Sequence, residues 1–136
     1  MKVSDAMTPE VQLCTPDDTL KDAAEAMMAL NVGLLPVTDS DRLVGMITDR
    51  DIAVRGVARG RGPDTPVRDV MTQDVKYCFE DQDLDEVTQN MGEIQVRRLP
   101  VVNKNKQLVG IIALGDIARS RPGDGTAEAL QQISQP

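Results

Sequence analysis

A threonine and an aspartate three residues apart, Thr48 and Asp51, form the pair in this sequence best suited to chemistry. Thr48 follows a short apolar run at residues 43–47 that predicts a strand, and a helix is expected to begin at Asp49. The first N–H groups of a helix lack partners within it and carry partial positive charge, so they suit a phosphate. Asp51 lies one turn into the helix, on the same face as Thr48. The pair is therefore a candidate ligand site.

The same spacing also suits a purely structural device. In a capping box, the threonine hydroxyl accepts a hydrogen bond from the backbone three positions on, and the acidic side chain reaches back to the threonine N–H. From the residue pattern alone, a ligand site and a cap both stay open.

The motif recurs because the chain contains two copies of one unit. Many residues of the first half fall in register on identical residues of the second half, and a single inserted residue shifts the register near residue 43. In the second copy Ala113 replaces the threonine, whereas Asp116 keeps the aspartate. Tandem copies usually stack through the apolar face that neither can bury alone. We therefore expect one shared core and a ligand cleft between the copies.

Each copy predicts the order strand, helix, strand, strand, helix. The first helix is predicted from apolar residues three and four apart, and we expect Asp17 and Asp81 to cap the two helix starts. A proline, Pro36 or Pro100, stands inside the next strand and donates no ladder hydrogen bond, so an edge or strand end is expected there. The apolar helix positions are Leu20, Ala23, Ala24, Met27 and Met28 in copy one, and Leu84, Val87, Met91 and Ile94 in copy two.

The predicted fold class is α/β (α+β), with tandem β-α-β-β-α repeats packed with pseudo-two-fold symmetry into one module. We place the repeats at residues 1–60 and 67–121, joined by a Gly/Pro-rich linker at residues 61–66. The tail at residues 122–136 is polar and predicted to be partly helical.

Composition argues against several functional classes. The net charge of −7 and the presence of only one Tyr, one Phe and no Trp oppose nucleic-acid binding. The chain has no histidine, which removes Ser-His and Cys-His catalysis and the commonest zinc ligand. No nucleophile, base or metal set accompanies Asp51 and Asp116, so we expect neither an enzyme nor a metal site. No apolar run reaches membrane-spanning length and no signal-peptide core opens the chain, so we expect a cytoplasmic location.

The two cysteines, Cys14 and Cys78, occupy matching positions of the repeat. A small buried apolar role is the usual one for a reduced cysteine at a strand end. A redox role, or proximity of the two thiols to each other, stays an alternative.

The repeat order, the Leu-Pro-Val strands and the endings at residues 45–51 and 110–116 resemble a CBS-domain pair, or Bateman module. The resemblance covers residues 1–120. Within the family, the sequence is similar to stand-alone bacterial CBS pairs of the hypoxic-response type and to the module in inosine-monophosphate dehydrogenases. It implies a regulatory adenosine-type ligand, such as AMP, ATP, NAD or S-adenosylmethionine, bound between the repeats. It also implies a homodimer that signals to an effector protein.

The resemblance assigns roles to residues. An aspartate matching Asp51, and Asp116 in copy two, would accept from ribose hydroxyls, and Thr48 would face phosphate. Since Ala113 forms no reciprocal cap, we interpret the retention of Asp116 as favouring ribose contact, with weaker phosphate binding at that site. Arg98 is the arginine we expect to reach a phosphate. The base pocket would be lined by Leu35, Pro36 and Val37 and by Leu99, Pro100 and Val101, with backbone near Thr15 and Phe79.

Core packing is the alternative role of those apolar residues, and surface solvation is that of the arginines. The alternative function for the whole chain is a ligand-free CBS-pair dimer that serves as a protein-interaction scaffold in a stress response, with Thr48 and Asp51 acting only as a cap.

Overall fold

A computed structural model describes residues 1–9 and 13–120. Within these residues there are two helices of ten or more residues, and five strands form two sheets. The predicted helix within the C-terminal tail and part of the predicted strand before Cys14 lie outside the described residues. The elements run α1 (Val3–Ala6), α2 (Leu20–Leu30), β1 (Leu34–Asp39), β2 (Arg42–Thr48), α3 (Asp49–Asp51), β3 (Cys78–Phe79), α4 (Leu84–Glu93), β4 (Arg98–Val102), β5 (Leu108–Ala113) and α5 (Leu114–Ser120).

The chain divides into two compact units that each borrow a segment from the other repeat. The repeat-1 unit is Gln12–Val75, and the repeat-2 unit combines Met1–Val11 with Lys76–Pro136. The segment that opens repeat 1 therefore belongs to the repeat-2 unit, and the segment that opens repeat 2 belongs to the repeat-1 unit. We call these two opening segments the borrowed segments.

The borrowed segment is held the same way in both units. In the repeat-1 unit, Met46 of β2 and Thr72 exchange backbone hydrogen bonds of 2.9 and 2.8 Å. In the repeat-2 unit, Ile111 of β5 and Thr8 exchange bonds of 3.0 and 2.8 Å. The last strand of each sheet, β2 or β5, thus gains a short backbone pairing with a segment distant in sequence.

A glycine precedes the paired residue in each copy because the borrowed backbone passes so close. A Cβ on Gly45 would lie 2.9 Å from the Thr72 carbonyl oxygen, and a Cβ on Gly110 would lie 2.7 Å from the Thr8 carbonyl oxygen. Real Cβ atoms do not approach backbone oxygens that closely. The two matched glycines therefore permit the exchange of segments.

In the repeat-1 unit, β1 and β2 form an antiparallel hairpin in which Leu34 lies opposite Thr48 and Leu35 opposite Ile47. Cys14 adds an isolated parallel bridge to Val37. The β1–β2 pairing brings the start of the proline-containing strand beside the end of β2, where the candidate motif begins.

In the repeat-2 unit, β4 lies between β3 and β5. The expectation of an edge strand is therefore wrong for β4 as a whole. However, β3 pairs with β4 only at Val101 and Val102, after Pro100. Since proline has no N–H to donate, the additional pairing begins where donors are again available.

The expected helix caps at Asp17 and Asp81 are wrong. Thr19 caps α2, accepting from the N–H of Asp22 at 3.1 Å, and Asp83 caps α4, accepting from the N–H of Asp85 at 2.8 Å. The reciprocal bond from the Thr19 N–H lowers the pKa of Asp22. Asp17 instead forms an ion pair with Arg68. Both helices begin two residues later than a cap at Asp17 or Asp81 requires.

The predicted helix faces are correct at their centres and too wide at their edges. Leu20, Ala23 and Met27 of α2 are buried, whereas Ala24 is exposed and Met28 is 77% exposed. Leu84, Val87 and Met91 of copy two have no exposed surface, whereas Ile94 follows the end of α4 and is 39% exposed. Each unit has its own apolar cluster, in which Cys14 and Cys78 are also buried. The cysteines are free thiols.

Candidate functional site

The junction between β2 and α3 carries the Thr48–Asp51 motif. Thr48 has extended backbone angles (φ −118°, ψ 162°), so the chain turns from strand to helix at this residue. Its Oγ1 accepts from the Asp51 N–H at 3.0 Å, and Asp51 Oδ2 accepts from the Thr48 N–H at 3.0 Å. The motif is therefore a complete capping box, the structural alternative predicted from the sequence.

The cap leaves one side of the carboxylate without a hydrogen-bond donor among the described residues. The nearest cationic group to Asp51 Oδ1 is Arg55 Nη1 at 4.0 Å, beyond hydrogen-bond distance. That nitrogen donates instead to the Met71 carbonyl oxygen at 3.3 Å. The Thr48 hydroxyl proton is also available, since in the cap its oxygen acts as an acceptor. Among residues 1–9 and 13–120, Asp51 Oδ1 thus accepts no hydrogen bond and the Thr48 hydroxyl donates none.

Arg55 is a residue of this junction that the sequence pattern does not single out. Several arginines occur between residues 50 and 61, and nothing in the spacing of Arg55 distinguishes it from the others. In the structure its Nη1 links the segment at Met71 and Thr72 to the turn that carries Asp51. Its position depends on a π-helical turn, Ile52–Gly56, that directly follows α3. Such turns are frequent at functional sites, but they have no reliable sequence signal.

At the matching junction in the repeat-2 unit, both carboxylate oxygens of the aspartate have protein partners. Ala113 lacks a hydroxyl, but its N–H donates to Asp116 Oδ2 at 3.1 Å, which is half of a capping box. The other carboxylate oxygen, Oδ1, forms an ion pair with Arg119. Asp116 as a whole is 8% exposed. These contacts give Asp116 a structural role, so its presence in copy two does not by itself distinguish ribose contact from capping, and ribose contact there stays a prediction.

The apolar residues expected to line a base pocket lie mainly in the two cores. Leu35 is 2% exposed, and Val37 and Val101 have no exposed surface. Pro36 and Pro100 are buried as well. Their side chains therefore act in packing, and only their backbone groups remain as candidates for ligand contact.

The other two predicted residues differ in their placement. Arg98 is exposed and lies opposite Ala113 in the β4–β5 register, so it stands beside the junction that carries Asp116. Thr15 is exposed and donates its backbone N–H to Asp18 Oδ2 at 2.9 Å. The structure groups Thr15, Leu35, Pro36, Val37, Thr48 and Asp51 in the repeat-1 unit, and Arg98, Pro100, Val101 and Asp116 in the repeat-2 unit.

The cysteine thiols are poorly suited to nucleophilic or redox chemistry. Burial raises the pKa of Cys14 to about 12, with a further contribution from the negative charge of Asp18. Burial alone raises the pKa of Cys78 to about 12. Because the thiolate is the reactive form, both groups are held in their inert state.

Two features are absent from residues 1–9 and 13–120. Within them, no group of three or more His, Cys, Asp or Glu side chains is arranged to hold a metal ion. No helix in those ranges has the length and apolar character needed to cross a membrane.

The sequence model of the CBS domain matches this chain twice, over residues 3–56 and 67–123. The chain belongs to the CBS-domain family. Proteins with these domains are generally regulatory rather than catalytic, and the match indicates no catalytic family.

Curated relatives match over nearly the whole length. The CBS domain-containing protein YhcV of Bacillus subtilis (strain 168) is 43% identical over 133 residues, which cover 97% of this chain and 94% of the relative. Hypoxic response protein 1 of Mycobacterium tuberculosis is 37% identical over 134 residues, covering 97% and 93%. Inosine-5'-monophosphate dehydrogenase of Methanocaldococcus jannaschii is 37% identical over 122 residues, which are 88% of this chain and 23% of that protein. The predicted resemblance to stand-alone CBS pairs is confirmed.

Solved structures confirm the fold class. Hypoxic Response Protein I, solved with two coordinated zinc ions, has a TM-score of 0.80 at 37% identity, covering 90% of this chain and 100% of that one. CBSX2 in complex with AMP has a TM-score of 0.78 at 28% identity. The CBS pair of MJ0100, in complex with 5'-methylthioadenosine and S-adenosyl-L-methionine, has a TM-score of 0.75 at 28% identity. The last two matches each cover 88% of this chain and 94% of the other.

Proposed function

We propose that this chain is a non-catalytic regulatory module that binds an adenosine-type nucleotide, of the AMP, ATP or NAD kind, and signals to a partner protein. Two structural relatives support this ligand class, since CBSX2 was solved with AMP and the MJ0100 pair with two adenosine compounds. The nucleotide is a regulatory ligand and not a catalytic cofactor. A cleft between the repeats, a homodimer, the effector protein and a cytoplasmic location stay predictions.

The observation that carries the proposal is the free oxygen of Asp51. The cap uses Oδ2 and leaves Oδ1 without a hydrogen-bond donor among residues 1–9 and 13–120. A carboxylate oxygen has two lone pairs, enough to accept from the two hydroxyls of a ribose. The cap also holds the side chain in one orientation, which lowers the entropy lost on binding. Capping and ribose binding are thus compatible at Asp51.

The two junctions should differ in affinity. At Thr48 a hydroxyl proton is available for phosphate, whereas Ala113 offers none. Asp116 has both oxygens engaged, by the Ala113 N–H and by Arg119. A ligand there must displace Arg119 or leave one oxygen unused, so we propose the Asp51 junction as the stronger site.

Isothermal titration calorimetry on the full chain tests the proposal. AMP, ATP, NAD and S-adenosylmethionine are titrated separately into the wild-type protein and into Asp51→Asn. We expect saturable binding of at least one of them, weakened in the variant. Asp41→Asn is the matched control, because Asp41 is exposed in the turn between β1 and β2. The absence of binding by all four ligands would refute the proposal.

A constitutive scaffold is the second candidate, and the capping box favours it. The cap by itself explains why Thr48 and Asp51 occur at this spacing. A ligand-free CBS-pair dimer would then act through its surface in a stress response. Under this alternative, substitutions at the cap change stability equally with and without nucleotide, whereas a nucleotide sensor loses its ligand-induced stabilisation.

A further inference from the structure

The two aromatic residues of the chain are both left outside its cores. The sequence has one Tyr and one Phe, and Tyr77 and Phe79 are each 38% exposed. Their rings meet edge to face at 5.7 Å, and Lys106 Nζ lies 5.5 Å from the centre of the Tyr77 ring. Aromatic side chains contribute most to stability when buried, so leaving both of them partly exposed side by side points to a binding role.

Phe79 forms a wall of a pocket of about 530 Å³ in the repeat-2 unit, a volume within the usual range for small-molecule sites. The pocket lies beyond the Val102 end of β4, whereas Arg98 and the Asp116 junction lie at the other end of that strand. It is therefore separate from the Asp116 junction, and we assign Phe79 to this pocket and not to the base pocket that the resemblance implies. The lining residues that matter here are Lys2, Ser4, Phe79, Glu80, Asp81 and Lys104.

Backbone hydrogen bonds hold the three segments that form this pocket. The Ser4 N–H donates to the Glu80 carbonyl oxygen at 2.9 Å, and the Glu80 N–H donates to the Val102 carbonyl oxygen at 3.0 Å. In the β4–β5 turn, Asn103 Oδ1 accepts from the N–H groups of Asn105 and Gln107, both at 3.0 Å. The walls are therefore formed before any ligand arrives, which reduces the entropy lost on binding.

Residues of both charges line the pocket. Two lysines, Lys2 and Lys104, and two acidic residues, Glu80 and Asp81, are among the residues that line it. Within residues 1–9 and 13–120, none of these four side chains lies within 4.0 Å of an oppositely charged group. A simple anion would meet the two carboxylates, and a simple cation would meet the two lysines. A ligand with both charges satisfies both pairs.

We propose that this pocket binds a free α-amino acid with an aromatic or large apolar side chain. The ligand carboxylate faces Lys2 and Lys104, and its ammonium group faces Glu80 and Asp81. The apolar side chain packs on Phe79. This site is independent of the nucleotide, so the module has two classes of small-molecule ligand.

Calorimetry and two-dimensional NMR on the full chain test this site with L-phenylalanine and L-leucine as probes. We expect saturable binding of one molecule per chain, with resonance shifts centred on residues 79–81 and 104. N-acetyl-L-phenylalanine lacks the ammonium group and L-phenylalaninamide lacks the carboxylate, so each should bind about two- to fivefold more weakly, as expected for a lost charge pair at an accessible site.

Variants locate the site. Lys104→Gln and Asp81→Asn should lower the affinity for the probes by a similar factor. Phe79→Ala should lower the affinity for both L-phenylalanine and L-leucine. Lys76→Gln and Asp74→Asn, at exposed positions outside the pocket, are the matched controls and should bind as the wild type does. Urea unfolding of each variant verifies that it is folded. The inference is overturned if neither probe binds at millimolar concentration, if the neutralised analogues bind equally well, or if the controls weaken binding as much.

Discussion

Thr48 and Asp51 exchange two hydrogen bonds across the start of α3, each 3.0 Å long. The exchange satisfies two backbone N–H groups that would otherwise lack a partner at a helix start. It also turns Asp51 so that Oδ2 faces the backbone and Oδ1 does not. One local contact thus stabilises the strand–helix junction and orients the carboxylate proposed to hold a ribose.

Removing only the Thr48 hydroxyl should cost stability. Thr48→Val keeps the shape of the side chain but cannot accept from the Asp51 N–H, so the free energy of unfolding should fall by about 1 kcal/mol. Thr48→Ser retains the hydroxyl and should stay close to the wild type. Urea denaturation at neutral pH measures both variants. Equal stability of the Val and Ser variants would show that the cap contributes nothing.

The second junction offers the reverse experiment. Ala113→Thr supplies the missing hydroxyl opposite the Asp116 N–H and should raise the free energy of unfolding by about 0.5–1 kcal/mol. Ala113→Val adds the same bulk without the hydroxyl, so the difference between the two variants isolates the hydrogen bond. A Val variant as stable as the Thr variant would contradict the prediction.

Asp51 should affect binding more than folding when its shape is kept. Asp51→Asn retains an oxygen for the Thr48 N–H but loses the charge, so nucleotide affinity should fall while the urea midpoint changes little. Asp51→Ala should weaken binding by about 1.5–3 kcal/mol, the usual scale for a hydrogen bond to a charged group, and also lose the cap. Unchanged affinity in both variants would assign ribose binding to another residue.

The matched glycines should not tolerate a methyl group. Gly45→Ala and Gly110→Ala place a Cβ 2.9 and 2.7 Å from the carbonyl oxygen of the borrowed segment, so each should lose about 1–3 kcal/mol of stability. Gly62→Ala is the control, since a Cβ there meets nothing within 4 Å. Thermal unfolding compares the three variants. If the Gly45→Ala variant is as stable as Gly62→Ala, the contact between residue 45 and the Thr72 carbonyl oxygen does not limit side-chain size, contrary to the prediction.

The buried thiols should make stability fall at high pH. Burial raises the pKa of Cys14 and Cys78 from 9.0 to about 12, so between these values the unfolded thiols ionise while the folded ones stay protonated. Unfolding then releases protons, and the free energy of unfolding decreases as pH rises through this window. Below pH 9.0 the thiols add no pH dependence. Urea unfolding across the window should show a smaller decrease for Cys14→Ala and Cys78→Ala, and an unchanged slope would contradict the assignment.

The sequence by itself determined the features that depend on neighbouring residues. Residues three apart at a strand–helix junction must lie together, so Thr48 and Asp51 could be paired without coordinates. The duplicated strand–helix–strand–strand–helix order and the centres of the buried helix faces followed from periodicity in the same way. The sequence does not determine where α2 starts, because Asp17, Asp18 and Thr19 can all cap a helix. The packing of the helix decides which of them does.

Tertiary structure decided the features that join distant segments. Each unit contains the opening segment of the other repeat, and glycine is required at residues 45 and 110 because Thr72 and Thr8 lie against them. The central position of β4, the bond from Arg55 to Met71 and the pocket beside Phe79 have the same origin. These contacts have no sequence period because backbone pairing and close packing between distant segments depend on the path of the chain and not on the spacing of residues along it.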